Sequence, residues 1–190
     1  MVSRSGSNRI NVDYLLDRGD RVAKLCPQWS VVAQQRMAGQ LDDDCVLGRS
    51  LWEFVHGGAT QRLYDALLHH ARRTGRGLAF NYRGDSPEAI RYMRMMLLPG
   101  YDGTVRFRSE LLHEQPRQRA VYFTHAAYPC RPELLQCGLC NRMEHNGRWF
   151  TLDDLLRTTD AIEPLMPTEV GDTVCDGCLT RIEIATGIRL

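Results

Sequence analysis

Lysine is almost absent from this 190-residue chain: Lys24 is the single lysine among 24 cationic side chains, and the other 23 are arginine. A lysine Schiff base or a phosphate-binding P-loop needs a placed amine, so both are nearly excluded. No stretch approaches the roughly 18 consecutive apolar residues of a membrane span. Residues 1–9 are rich in Ser, Gly, Arg and Asn and lack the apolar stretch of a secretory signal. The expected setting is therefore the cytoplasm, with no membrane partner. Neither sign of charge dominates, since 24 Lys+Arg face 23 Asp+Glu for a net charge of +1. The strongly basic surface of a dedicated nucleic-acid binder is missing, and nucleic acid is not an expected partner. Paired catalytic carboxylates, a Ser/His/Asp pattern and a glycine-rich phosphate loop are also missing. His113-Glu114 lacks the second histidine of a metalloprotease motif. A non-catalytic role is expected.

What is present suits a soluble globular chain, with 43% hydrophobic and 25% charged residues. Asp13–Asp17 and Arg21–Cys26 read as strands joined by a turn at Gly19-Asp20, with residues 1–10 expected to be disordered. Ser30 can cap a short helix through Met37, and Asp42-Asp43-Asp44 reads as an acidic loop. A short helical turn at 48–55 is closed by Gly57-Gly58. Thr60 is the expected N-cap of an amphipathic helix carrying Leu63, Leu67, Leu68 and Ala71 on one face and ending at Gly75. Three alternating segments follow, at 78–82, 91–98 and 105–111. Pairing Leu97 with Val105 would set Arg94 opposite Arg108. The order predicts an α+β domain over 11–117, a five-stranded antiparallel sheet with helices inserted after its second strand. Residues 118–134 read as a linker or docking segment, and 135–190 as a second, smaller unit.

Several runs carry a resemblance. The Asp17-Arg-Gly-Asp20 turn, Trp29, Val46-Leu-Gly-Arg-Ser-Leu-Trp-Glu-Phe54, Tyr82-Arg-Gly-Asp-Ser-Pro87 and Arg91-Tyr-Met93 resemble the PAS sensor fold. The closer likeness is to small bacterial PAS proteins with Cys-x-x-Cys pairs near the C-terminus. That resemblance implies signal transduction through a protein partner or a homodimer, and a small-molecule ligand in the PAS core. The group often has Cys where this chain has Gly84, so no thiol role carries over to that position.

The strongest chemical signal is Cys137-Gly-Leu-Cys140 with Cys175-Asp-Gly-Cys178. Each pair holds two sulfurs at the separation a tetrahedral Zn²⁺ needs. About fifty residues bury too little apolar surface to fold alone, and a structural zinc supplies the missing staple. A treble-clef-like unit is expected, with a hairpin around Arg148–Phe150, a helix over 152–157 and a C-terminal helix bearing the last ligands. Iron fits the same four thiolates. Cys130 and His145 are reserve ligands, while Cys26 reads as a small core residue. Two other function classes stay open: a haem- or flavin-binding PAS sensor, and a thiol-redox protein using the Cys-x-x-Cys pairs. His69 and His70, the haem-ligand candidates on the long helix, fall off its apolar stripe. Arg72, Arg73, Arg76, Arg94, Arg106 and Arg108 could form a basic surface, although such clusters are usually solvated.

Overall fold

The computed structural model describes residues 11–27, 29, 43–125, 133–159, 161, 162 and 167–190. The helix expected over 30–37, the N-terminal ten residues and Cys130 lie outside the described residues. Five antiparallel strands form the first sheet, in the order β2-β1-β5-β4-β3. They are β1 (Asn11–Leu16), β2 (Val22–Leu25), β3 (Leu78–Arg83), β4 (Ala89–Pro99) and β5 (Val105–Pro116). Between β2 and β3 lie α1 (Asp43–Val46), a 3-10 turn (Leu51–Glu53) and α2 (Gly58–Thr74). This is the α+β layout expected from the sequence, a five-stranded antiparallel sheet with helices inserted after its second strand. Alternation builds the sheet: Met93, Met95 and Leu97 of β4 are buried while Tyr92, Arg94 and Leu98 are exposed. Helix α2 lays Leu63, Leu67, Leu68 and Ala71 on the sheet, and Gly75 caps it at φ 65°.

Three local expectations need correction. The acidic loop is partly helical, because Asp43 opens α1. Helix α2 starts before Thr60, at Gly58, with Gly57 as N-cap at φ 77°. Gly57 is required there by close approach, since a Cβ would lie 2.2 Å from the Asp172 carbonyl oxygen. The two glycines thus open this helix and leave Thr60 buried in its first turn. The β4–β5 hairpin is shifted by two residues: Leu97 pairs with Phe107, and Pro99 with Val105. The strands extend through Pro99, and the Gly100 N–H donates to the Thr104 carbonyl across the loop at 2.8 Å. A two-residue shift keeps every side chain on its predicted face but changes the partners. Arg94 therefore faces Glu110, an opposite-charge pair in place of the expected like-charge one.

The second sheet has the order β6-β10-β7-β8-β9. Its strands are β6 (Phe123–His125), β7 (Leu134–Cys137), β8 (Met143–His145), β9 (Arg148–Phe150) and β10 (Thr168–Thr173). Asn146 and Gly147, at φ 51° and 76°, make the tight β8–β9 turn that Asn-Gly favours. Strand β10 is parallel to both β6 and β7, a pairing the weakly alternating Thr168–Thr173 segment does not announce. Helix α3 (Leu152–Thr158) is capped by Thr151, whose hydroxyl accepts the Asp154 N–H at 3.1 Å, and α4 (Asp176–Thr186) closes the unit.

One core joins the two sheets. Leu63, Leu67, Phe80 and Phe107 belong to the same buried cluster as Cys137, Leu139, Cys178 and Ile182. Val121, Leu134, Met143, Leu155 and Val170 form a second cluster within the smaller unit. Replacing Gly57 by Ala should cost the left-handed strain of about 1–2 kcal/mol plus about 1–3 kcal/mol of clash with Asp172. Gly75→Ala meets nothing within 4 Å and should cost the strain alone. Urea unfolding of the two variants measures the difference; equal losses would contradict the close packing of α2 on β10.

A pH dependence arises on the β6–β10 pair. The His125 Nδ1 lies 3.0 Å from Asp172 Oδ2, and that hydrogen bond raises the imidazole pKa. A raised folded pKa gives stability that is complete below the unfolded value of about 6.5 and is lost as pH rises through the folded value. In His125→Gln that slope of unfolding free energy against pH should flatten just above the unfolded His pKa.

Candidate metal centre

Cys137 ends β7, and the chain reverses through Gly138-Leu139 to bring Cys140 back beside it. The reversal is held by Cys137 N–H to Arg142 C=O and Asn141 N–H to Cys137 C=O, both 2.9 Å. Asn141 takes the left-handed φ of 55° that this turn needs. From the other side, Cys175 is the N-cap of α4 and Cys178 sits in its first turn. The sequence pairs therefore arrive on a turn and a helix start, aimed at one point. All four Sγ atoms lie within 4.8 Å of one another, and Cys140 and Cys175 are 3.8 Å apart. A tetrahedral ion with metal–sulfur bonds near 2.3 Å sets its sulfurs about 3.8 Å apart, so the donor set fits a four-thiolate ion. Cys137, Cys175 and Cys178 are buried and Cys140 is half-buried.

The electrostatics suit anionic sulfur. Hydrogen bonds from the Cys140 and Cys178 thiols, together with the Cys175 N–H 3.4 Å away, hold the Cys137 thiol well below its ordinary pKa. Proximity to that same sulfur pushes Cys140 up to about 11 and raises Cys178. A divalent ion would favour the thiolate form of all four sulfurs. Arg181, one helical turn after Cys178, donates a guanidinium N–H to its sulfur at 2.7 Å. The site also touches the first sheet: the Arg83 N–H of β3 donates to the Leu139 carbonyl at 2.7 Å, and α4 packs against β3. His145 lies on β8 outside the sulfur group. Cys26 follows β2 and accepts the Asp13 N–H at 3.3 Å, and Cys45 is exposed.

The interior of the first sheet is aromatic. Phe107 is stacked between Tyr14 at 4.9 Å and Tyr64 at 6.1 Å, and Trp29 meets Tyr14 edge-on at 5.8 Å. Burial raises the pKa of both tyrosines, so their hydroxyls stay neutral. Tyr82 donates to Ser109 Oγ at 3.0 Å in the same interior. His69 is exposed and His70 half-buried, as the helical wheel predicts.

Three of the six arginines of the expected basic surface, Arg72, Arg106 and Arg108, have acidic partners within the fold. Arg72 ties Asp20 at 2.7 Å and also donates to the Asp17 and Gly103 carbonyls, clamping both ends of the sheet's turns to α2. Trp52 Nε1 donates to Asp20 at 3.2 Å, which joins the Asp17–Asp20 turn to the Leu-Trp-Glu-Phe run. Arg106 and Arg108 share Asp13. Sequence reasoning missed Asp85. Its carboxylate, 7% exposed, accepts from the side chains of Arg83 and Arg117 and from the Arg91 N–H. The signal was there in Tyr82-Arg-Gly-Asp, where an i, i+2 spacing off a strand returns the acid to its arginine. At Gly84 a Cβ would come 3.1 Å from Met93 Cγ, so a larger side chain requires that methionine to move.

No family model and no curated protein matches the sequence. Among solved structures the chain is similar to a domain of an HTR-like protein from Haloarcula marismortui ATCC 43049. The two are 14% identical over 54% of this chain and 98% of that one, with TM-score 0.34. It is similar to a sensory box sensor histidine kinase from Vibrio cholerae, at 9% identity over 57% and 84% of the chains, with TM-score 0.37. A third is the PAS domain of an HTR-like protein from Haloarcula marismortui, at 15% identity over 59% and 84%, with TM-score 0.33.

Arg181→Met removes the donor to Cys178 while keeping the stem that packs beside it. Loss of such an outer partner typically weakens metal affinity about 10–100-fold. Competition of a chromophoric chelator for zinc loaded onto the protein should show that shift; an unchanged affinity would mean that the contact does not support the sulfurs.

Proposed function

We propose that this chain is a non-catalytic, cytoplasmic PAS-type sensory or interaction protein whose C-terminal unit is built on a structural zinc ion. In this reading residues 11–117 are the sensory domain, 118–134 a linker or docking segment and 135–190 the metal unit. The ligands are Cys137, Cys140, Cys175 and Cys178. The observation that carries the reading is the convergence of these four sulfurs, from a turn and a helix start, inside a core shared with the first sheet. Zinc bound by four thiolates supplies a closed, redox-inert crosslink, and the residues around it orient and shield the sulfurs. A reducing cytoplasm keeps such thiols available. The sensory part works by binding, through a protein partner, a second copy or a small molecule among the buried tyrosines. Its signal requires that partner to prefer one of two states of the sheet.

Native mass spectrometry with metal analysis tests the proposal on the full chain. One zinc per chain with four unreactive thiols is expected. Metal-free protein with readily oxidised Cys-x-x-Cys pairs would replace it with thiol-redox chemistry, and a rubredoxin-like visible spectrum would replace zinc with iron. A stoichiometric Soret or flavin band would overturn the colourless core. Cys175→Ser should lose the metal and become protease-sensitive beyond Leu135. In the same variant the β3 amides should exchange faster, while β1 and β5 stay protected.

A further inference from the structure

Between the outer side of β3–β4 and the cysteine unit lies a cavity of about 610 Å³. We infer that it binds a small organic oxyanion, a carboxylate or a phosphate ester, seated on Arg142 and on the Arg83–Asp85–Arg117 group. This goes beyond the sensory reading above and holds whichever metal occupies the sulfurs.

The charge of the walls points to an anion. Arg83, Arg117, Arg142 and Arg181 line the cavity against two carboxylates, Asp85 and Asp153. Asp85 is already shared by two guanidinium groups, which leaves that group with excess positive charge in a poorly hydrated wall. Arg181 is directed to the Cys178 sulfur and meets the negative charge that four thiolates on a divalent ion would leave. Arg142 remains: its guanidinium has no hydrogen bond or ion pair among the described residues, and neither do the side-chain amides of Asn81 and Gln115. Arg142, Asn81 and Gln115 are exposed, so water meets them until a ligand does. The amides offer donors and acceptors alike. Among the described residues of these walls Arg142 supplies the one uncompensated cation, opposed by Asp153, that a ligand rich in acceptors would engage.

Shape and position narrow the class. The volume lies in the range of small-molecule sites and exceeds what a bare inorganic anion fills. Ile90 and Leu152 give the organic part apolar wall, and Tyr92, 41% exposed with Arg83 5.1 Å over its ring and His113 stacked on it at 5.9 Å, borders the same space. The walls come from both units, including Asn81 of β3 and Asn141 of the cysteine turn. An occupant touches both, so it would stabilise their junction by its own binding free energy.

Succinate and glycerol 3-phosphate serve as probes, because neither competes strongly for a thiolate-held metal. Each is titrated calorimetrically into the full-length, metal-loaded protein at pH 7, with sodium chloride matched for ionic strength. Saturable 1:1 binding of at least one probe is expected, weakened about tenfold or more by Arg142→Gln, and the probe that binds identifies the source of the oxyanion. Asn81→Ala, on β3 rather than on the cysteine turn, should weaken it too, and serves alone if Arg142→Gln loses metal. Absence of saturation by both probes at about 10 mM, well above the ~1 mM that corresponds to about 4 kcal/mol of binding, would overturn the inference. So would affinity unchanged in both variants, or binding abolished equally by added salt. Retained zinc in a protein that binds neither probe would leave the sensory reading standing.

Discussion

Strand β3 ends the first sheet, and an end strand leaves a row of backbone N–H and C=O groups open to other chains. The segment after residue 117 has the opposite difficulty, since its strands are three to six residues long and its own apolar cluster is small. Each answers the other. The cysteine turn offers the Leu139 carbonyl to the Arg83 N–H, α4 covers the strand, and Leu139 and Ile182 enter the larger core. The sulfur cluster sits at this seam, so whatever holds the sulfurs together also holds the cover on the sheet.

That placement makes the cysteine unit part of the first sheet's packing. Gly57 before α2 lies against the Asp172 carbonyl of β10, a second attachment between the two sheets. Arg83 contributes at three levels: its backbone to the cysteine turn, its guanidinium to Asp85, and its plane to Tyr92. A rearrangement of the sheet end near Arg83 therefore has a direct mechanical route to the sulfurs, through hydrogen bonds rather than through a flexible tether.

Much of this was legible beforehand. Alternation in β4 and β5, the apolar stripe of α2, the Asn-Gly hairpin and the paired cysteines are local patterns with strong physical causes. Their faces and elements follow from period alone. What was hidden depends on partners distant in sequence. The hairpin register turned on the loop contact between Gly100 and Thr104, and the true start of α2 on Asp172, more than a hundred residues away. The parallel strand β10 has little alternation to reveal it, being defined by β6 and β7 on either side. The burial of Asp85 depends on Arg117, 32 residues further along, returning beside Arg83.

The last attachment has a temporal side. Domains tend to fold from the N-terminus as the chain is made, and the first sheet is complete at Pro116. The helix that covers its outer strand carries Cys175 and Cys178, near the C-terminal end of the sequence. Throughout the synthesis of some sixty intervening residues, the nascent chain presents an unshielded strand edge. During that interval its neighbours on the ribosome, more than its own finished structure, decide what that edge meets.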